Sequence, residues 1–321
     1  MTLLSFPNRL RVVDWRTLPP ERVEALYSAE ADRWARLDWD TTTQWQEVER
    51  GRRFGTTAGF AVLDEHGEII GWTFYQIRSR VLQVGVFDAA SEPVTIALVD
   101  KLLSEQTLAF VDSITFFALT DAPALTPALR NKGLQVERYW YLSRDLSRSA
   151  PPDLNDIRRW RFEDIQATAE LFGRSYKGAS DSRPFAPGGT ADEWAEYVNR
   201  LTRGFGCGTL MPEASLCVPS GPNYLVGAAL VTKISESTAH LAQHVVDPQF
   251  QARRLGAQLL EMAAAAAARQ GCRRLTLIVG GSNRRARSVY ETARFHATGS
   301  FVAAGVFNRA DQLASRRPAR S

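Results

Sequence analysis

Residues 245–257 read VVDPQFQARRLGA. An apolar run ends at Val246, Asp247-Pro248 breaks it, and an amphipathic stretch opens at Arg254 and continues to Gln270. The segment therefore predicts a strand, a turn and a helix in succession. Gly271, just past the end of the pattern, supplies the expected helix stop. The first amides of a helix have no intrahelical partner and sit at the positive end of its dipole, so this junction can hold a phosphate or pyrophosphate. Gly256 removes a side chain where such an anion would come nearest the backbone. Arg253 and Arg254 add positive charge beside it.

Working outward, Tyr224–Lys233 and Thr238–Val246 read as paired strands and Arg274–Val279 as a third. Residues 283–295, NRRARSVYETARF, predict a helix over Arg284–Thr292. Asn283 is its N-cap, and Ala286, Val289, Tyr290 and Ala293 share one face. A strand over Thr298–Phe307 closes the chain's second half, which opens with a strand at Ile157–Trp160. Helices over Asp164–Ser175, with Asp164 as N-cap, and Thr190–Thr202 follow that first strand. Consecutive strands followed by alternation with helices indicate an α/β layered domain.

Two stretches carry a resemblance. Val246-x-Pro248-x-Phe250-x-x-Arg253-x-x-Gly256 resembles the acyl-CoA pyrophosphate motif of the GNAT superfamily of N-acetyltransferases. Asn283-x-x-Ala286-x-x-x-Tyr290-Glu291-x-x-x-Phe295 resembles its second cofactor motif, in the same order and at the family's separation, over Leu225–Val306. The resemblance implies acetyl-CoA, or another acyl-CoA, as cosubstrate and no metal. Its pyrophosphate would lie on the amides of Arg253, Arg254, Leu255, Gly256, Ala257 and Gln258. Its pantetheine would run along the strand ending at Val245 and Val246, with Gln251, Ala252, Asn283 and Ala286 completing the site. The implied reaction is direct attack of a primary amine on the thioester, with Tyr290 protonating the departing thiolate. The place six residues before Val246, where many members carry a glutamate, is His240, a candidate base. His244, on the same face by strict alternation, is a second candidate, and Glu236 an outer one. The sequence departs from the family at Arg254 and Arg294, where glycine is usual, and at Gln258, where the family has Gly or Ala.

The polar, proline-bearing segment 147–155 reads as a linker. It divides the chain into residues 1–146 and 156–310, with a basic tail over 311–321. The first half repeats the order of the second. A strand at Arg11–Trp15, a helix over Pro20–Leu37 and strands at Phe60–Asp64, Glu68–Ile77 and Val81–Phe87 come first. A helix over Pro93–Leu108, a strand at Ile114–Leu119, a helix over Ala124–Lys132 and a strand at Glu137–Arg144 complete it. The expected fold is thus two GNAT-like α/β domains, each a mixed, mostly antiparallel sheet flanked by helices. The stretch after Phe87 has neither the arginine nor the glycine of the cofactor loop. Leu129 stands for Tyr290 and Ala122 for Asn283. The first domain is therefore read as a non-catalytic copy.

Remaining features bound the function. Cys207, Cys217 and Cys272 show no paired spacing, which argues against a disulfide framework or zinc site and suits a cytoplasmic protein. The net charge of +4 gives nucleic-acid binding little support, and no apolar run reaches bilayer length. Trp194, Tyr197 and Phe205 either shape an acceptor pocket or pack as core, and Asp181 and Arg183 either bind the acceptor amine, small or protein-borne, or belong to a solvated loop. The acceptor and the oligomeric state are not encoded in any motif. The alternative to an enzyme is a non-catalytic acyl-CoA-binding sensor or scaffold.

Overall fold

The computed structural model describes residues 10–78, 81–104, 111, 113–116, 122–147, 156–179, 182, 185–186, 188–204, 207–251 and 254–306. The 148–155 part of the linker, Asp181, Arg183, Phe205, Ala252, Arg253, Phe307 and the basic tail lie outside these. Two compact units interleave along the chain: residues 1–32, 41–138 and 301–321 form the first, and 33–40 and 139–300 the second. A single cut in the linker does not describe this division, because residues 139–145 hydrogen-bond into the second unit's sheet.

In the first unit, strands β1 (Arg11–Asp14), β2 (Ala58–Leu63), β3 (Ile69–Arg78), β4 (Val81–Ala89) and β5 (Ser113–Phe116) lie in that order. β1 to β4 are antiparallel and β5 is parallel to β4. The β2–β3 turn forms because the Asp64 carboxylate accepts the amides of His66 (2.9 Å) and Glu68 (2.8 Å) while Gly67 takes φ +80°. Helices α1 (Pro20–Ala35), α2 (Thr42–Arg53), α3 (Glu92–Leu102) and α4 (Leu125–Asn131) complete the elements up to this point in the chain. Trp15 stacks on Trp72 and Phe74, and Tyr27 stacks on Trp45. α2 has no counterpart in the sequence reading. Its buried stripe is Trp45, Val48 and the stem of Arg52, whose guanidinium pairs with Glu49, so little apolar periodicity announces it.

The second unit's sheet runs β13 (His296–Val306), β6 (Gln135–Asp145), β12 (Arg274–Gly280), β11 (Thr238–Val246), β10 (Leu225–Lys233), β9 (Leu216–Pro219), β7 (Arg158–Arg159). A short β8 (Thr209–Leu210) also pairs with β10. Helices α5 (Ile165–Ser175) and α6 (Ala191–Thr202) cover one face around Trp194, Phe172 and Leu230. Helices α7 (Leu255–Arg269) and α8 (Arg284–Thr292) cover the other around Leu259, Leu277 and Tyr290. Asp164 does not cap α5 as the sequence suggested. Its carboxylate instead takes the Arg161 amide at 2.8 Å and the Arg158 guanidinium. Ala263–Ala268 are all buried in α7, and among the described residues no helix is long and apolar enough to cross a membrane.

One irregularity recurs. β11 pairs in parallel with β12 from Thr238 to Leu241 and no further, and next comes Ala242, a bulge opposite the Leu230–Val231 step of β10. β4 pairs with β5 from Val81 to Val84, and next comes Gly85, a bulge opposite Phe74–Tyr75 of β3. Helix ends also correspond: Phe295 N–H bonds Tyr290 O at 2.9 Å, and Leu134 N–H bonds Leu129 O at 3.2 Å. The first unit thus repeats the fold of the second.

Candidate active site

The site of the second unit lies where β11 and β12 part. Beyond Leu241 the β12-facing edge of β11 has no strand partner among the described residues. Asp247 ends the strand. Its buried carboxylate accepts Gln249 N–H (3.0 Å), Arg174 Nε (2.9 Å) and Tyr224 O–H (3.2 Å), which clamps the turn to α5 and β10. No side chain caps α7, and its first intrahelical bond runs from Gln258 N–H to Arg254 O at 3.0 Å. The amides of Leu255, Gly256 and Ala257 precede that bond, so they are the donors the helix presents. Gln258, expected to offer its amide too, has spent it within the helix. Gln251 ties the loop down instead of reaching a ligand: its Nε2 donates to Val246 O at 3.0 Å, and Arg285 donates to its Oε1. Ala252 and Arg253 lie outside the described residues.

Both departures from the family's glycines fall on left-handed backbone: Arg254 has φ +59° and Arg294 φ +65°. The fold keeps the conformation that glycine would adopt without strain. Asn283 caps α8 as expected, its Oδ1 accepting Ala286 N–H at 3.1 Å.

The bulge at Ala242 reverses the alternation of β11. Ala239, Leu241 and Val246 pack toward α7 and α8, whereas Val245 and Ala242 pack toward α5 and α6. His240 and His244 consequently face opposite sides, against the strict alternation assumed from sequence. His240 is buried beneath Trp39 (ring centroids 5.2 Å) and Tyr141 (6.1 Å), with Nδ1 2.9 Å from Thr276 Oγ1. Thr276 Oγ1 also lies 3.2 Å from Ala239 O, and Nε2 of His240 has no partner among the described residues. Burial pushes its pKa down to about 3. On the other face His244 places Nε2 2.9 Å from Gly256 O and Nδ1 3.3 Å from Tyr290 Oη. Burial, opposed by that carbonyl, leaves its pKa at about 4.

Gln243, not singled out by sequence, joins Tyr176 and Tyr197: it accepts the Tyr176 hydroxyl at 2.7 Å and donates to Tyr197 at 2.8 Å. The bulge, invisible in the residue pattern, is what turns it toward those helices. Trp194 and Tyr197 are core residues. Burial pushes the Cys207 thiol up to about 12. Glu236 enters none of these contacts.

The first unit repeats the parted strands, the bulge and an uncapped helix end, but differs in the connection and in the side chains. Between β4 and α3 stand only Ala90 and Ser91, where the second unit has residues 247–254 between β11 and α7. Counted from the bulges, Phe87 takes the place of His244, and by the helix-end bond Leu129 takes that of Tyr290.

The second unit is thus a mixed-sheet α/β fold in which a parted parallel strand pair leads, through residues 247–254, to an uncapped helix end. Residues 174–295 match the family model described as Acetyltransferase (GNAT) family, so the second unit carries a domain of that family. Solved structures agree on the fold. A GCN5-related glucosamine N-acetyltransferase region of a fungal multi-domain GH3 β-N-acetylglucosaminidase superposes with TM-score 0.61 at 13% identity, over 94% of this chain and 38% of that one. A GCN5-related N-acetyltransferase from Sphaerobacter thermophilus gives 0.54 at 18% identity, over 76% and 79%. A Drosophila protein gives 0.53 at 15%, over 92% and 97%. No curated protein matches in sequence.

Proposed function

We propose that the second unit is an acyl-CoA-dependent N-acyltransferase that transfers acetyl to a primary amine, and that the first unit has no catalytic site. The observation that carries this reading is the uncapped N-terminus of α7, reached from the unpaired end of β11 through residues 247–254 and bonded through His244 to Tyr290. The residues present fit an acyl-CoA. Three free amides suit its pyrophosphate, and the open strand edge suits its pantetheine amides. A Cβ on Gly256 would meet only ordinary contacts at 3.5–3.6 Å, so the protein's own packing does not demand glycine there. When bound, the cosubstrate supplies the thioester that an amine attacks.

The chain's own groups divide the proton work between two faces of the sheet. As the Nδ1–H tautomer, His240 offers its Nε2 lone pair on the α5/α6 face, and Tyr290 offers a proton on the other. His240 cannot strip a lysine-like ammonium. The gap from its pKa of about 3 to about 10.4 is roughly 7 units, or about 10 kcal/mol. Its role is to accept a hydrogen bond from an amine that arrives neutral; the proton the nitrogen sheds as the amide forms passes to solvent, which returns one to Tyr290. Tyr290 serves the leaving sulfur, since a phenol with a reference pKa of about 10 is still protonated at neutral pH.

The test is calorimetric titration of the full chain with acetyl-CoA, on wild type and Gly256→Trp, followed by an amine screen. One site per chain, lost in the variant, with turnover abolished by Tyr290→Phe, is the expected result. Two sites would restore the first unit to activity. Binding without thioester loss against any amine would make the protein a sensor, and no binding of acetyl-CoA or longer acyl-CoAs would end the reading.

A further inference from the structure

Two separate observations bear on His244. The first is its hydrogen bonding. A backbone carbonyl has no proton to give, so Nε2, 2.9 Å from Gly256 O, must carry the ring's hydrogen. Nδ1 is left with a lone pair, and the group in front of it at 3.3 Å is the Tyr290 hydroxyl, which can donate. One ring thus bridges the N-terminal turn of α7 to α8, its centroid 5.8 Å from that of Tyr290. Its lowered pKa keeps it neutral, and a neutral ring is what this arrangement requires.

The second observation comes from the repeat. Phe87 and Leu129, which hold the equivalent places in the first unit, are both fully buried in one apolar cluster. The fold is therefore satisfied by an apolar pair at these positions. The unit that keeps the polar pair is also the one that keeps the long connection ahead of its helix.

We propose that His244 is a positioning residue for Tyr290: locked as the Nε2–H tautomer by the Gly256 carbonyl, it accepts a hydrogen bond from the phenol and fixes Tyr290 Oη beside the parted strands. The anion-binding turn and the proton donor are then held in register by a single imidazole. This rests on the reading of Tyr290 as the donor to the leaving thiolate. It assigns His244 no proton transfer of its own, so it is not the base that its place on β11 suggested.

The test combines 15N NMR of the histidine-labelled full chain with kinetics of His244→Leu and His244→Gln. The expected His244 signals are a protonated Nε2 and a pyridine-type Nδ1, and Tyr290→Phe should shift the Nδ1 resonance. His244→Leu should keep its affinity for acetyl-CoA and lose kcat by about tenfold or more. His244→Gln, with an N–H for the Gly256 carbonyl and an oxygen for the phenol, should recover most of the loss. An Nδ1–H tautomer, an Nδ1 signal indifferent to Tyr290→Phe, or an unchanged kcat in a folded His244→Leu protein would overturn the proposal. If His244→Leu does not fold, the tautomer and its response to Tyr290→Phe decide the matter. Failure of the wild type to bind acetyl-CoA would sink the acyltransfer reading instead, and the NMR arm would still judge the bridge.

Discussion

His240 and His244 lie on one strand and face opposite sides of its sheet, because Ala242 bulges between them. Both are held neutral by burial, with pKa values of about 3 and about 4. In the unfolded chain each would titrate near 6.5. Between those limits the unfolded state binds more protons, so stability must rise with pH. The sign is that of a depressed histidine: folding is penalised as pH falls below about 6.5, until each ring titrates in the folded state. From pH 6.5 to 5 the two together should remove about 3 kcal/mol. Urea unfolding at pH 7, 6 and 5 measures this. His240→Gln should remove about half of the slope, and a slope unchanged in that variant would show that its ring is not buried neutral.

The same depressed value makes a kinetic prediction. With His240 neutral throughout the working range, kcat/KM should show no inflection between pH 5 and 8 from this group. It should rise toward the pKa of the acceptor amine, the fraction of free base setting the rate. His240→Ala should lower kcat/KM by about 100-fold, at the lower end of what a proton-handling group contributes. An inflection near 6.5 that disappears in His240→Ala would contradict the assigned environment.

Gly256 sets stability against binding. It lies inside α7, where alanine is favoured over glycine by about 0.5–1 kcal/mol, and a Cβ there meets nothing closer than 3.5 Å. Gly256→Ala should therefore raise stability by about that amount while weakening acetyl-CoA binding. A thermal melt and a titration on one preparation test both halves. Unchanged affinity would show that no ligand approaches this backbone.

Arg254 and Arg294 make a contrasting pair. Each occupies left-handed backbone, which costs a non-glycine residue about 1–2 kcal/mol. Arg294 caps the end of α8 with an exposed side chain, so Arg294→Gly should gain about 1 kcal/mol and leave acetyl-CoA affinity alone. Arg254 stands at the N-terminus of α7, next to the amides proposed to hold the anion. Arg254→Gly should gain stability and lose affinity. Equal affinity in both variants would leave the charge of Arg254 without a role in the site.

The sequence made some parts of this fold readable and hid others for physical reasons. α8 and its Asn283 cap were legible because cap, apolar face and stop all agree. α7 was legible too, closed by Gly271 at φ +89°. α2 was hidden because an arginine stem fills part of its buried stripe. The bulge at Ala242 has no residue signature, and missing it sent His240 and His244 to one face. The placing of residues 139–145 beside β12 depends on a pairing between segments more than a hundred residues apart, Tyr139 with Gly280. Local pattern carries no information about such a partner.

Asp247 is the last point of leverage, because the turn it clamps delivers the chain from β11 to the N-terminus of α7. Burial works to raise its pKa, and the Gln249 amide with Arg174 outweighs this, holding it below the ordinary carboxylate range. Arg174 also donates to Leu225 O at 2.9 Å and lies over the Tyr224 ring at 4.4 Å, so the carboxylate organises three elements at once. Asp247→Asn keeps the shape and removes the charge, leaving the guanidinium without its anion. Loss of one partner of a fully buried pair costs about 3–5 kcal/mol. The Arg174 side chain is 32% exposed, so water recovers part of this, and about 2 kcal/mol is expected. Chemical denaturation measures the cost. Acetyl-CoA affinity should fall as well, since the amides of Leu255, Gly256 and Ala257 converge only while the turn is fixed. A variant that loses stability yet binds as tightly as wild type would show that α7 holds its position without the clamp.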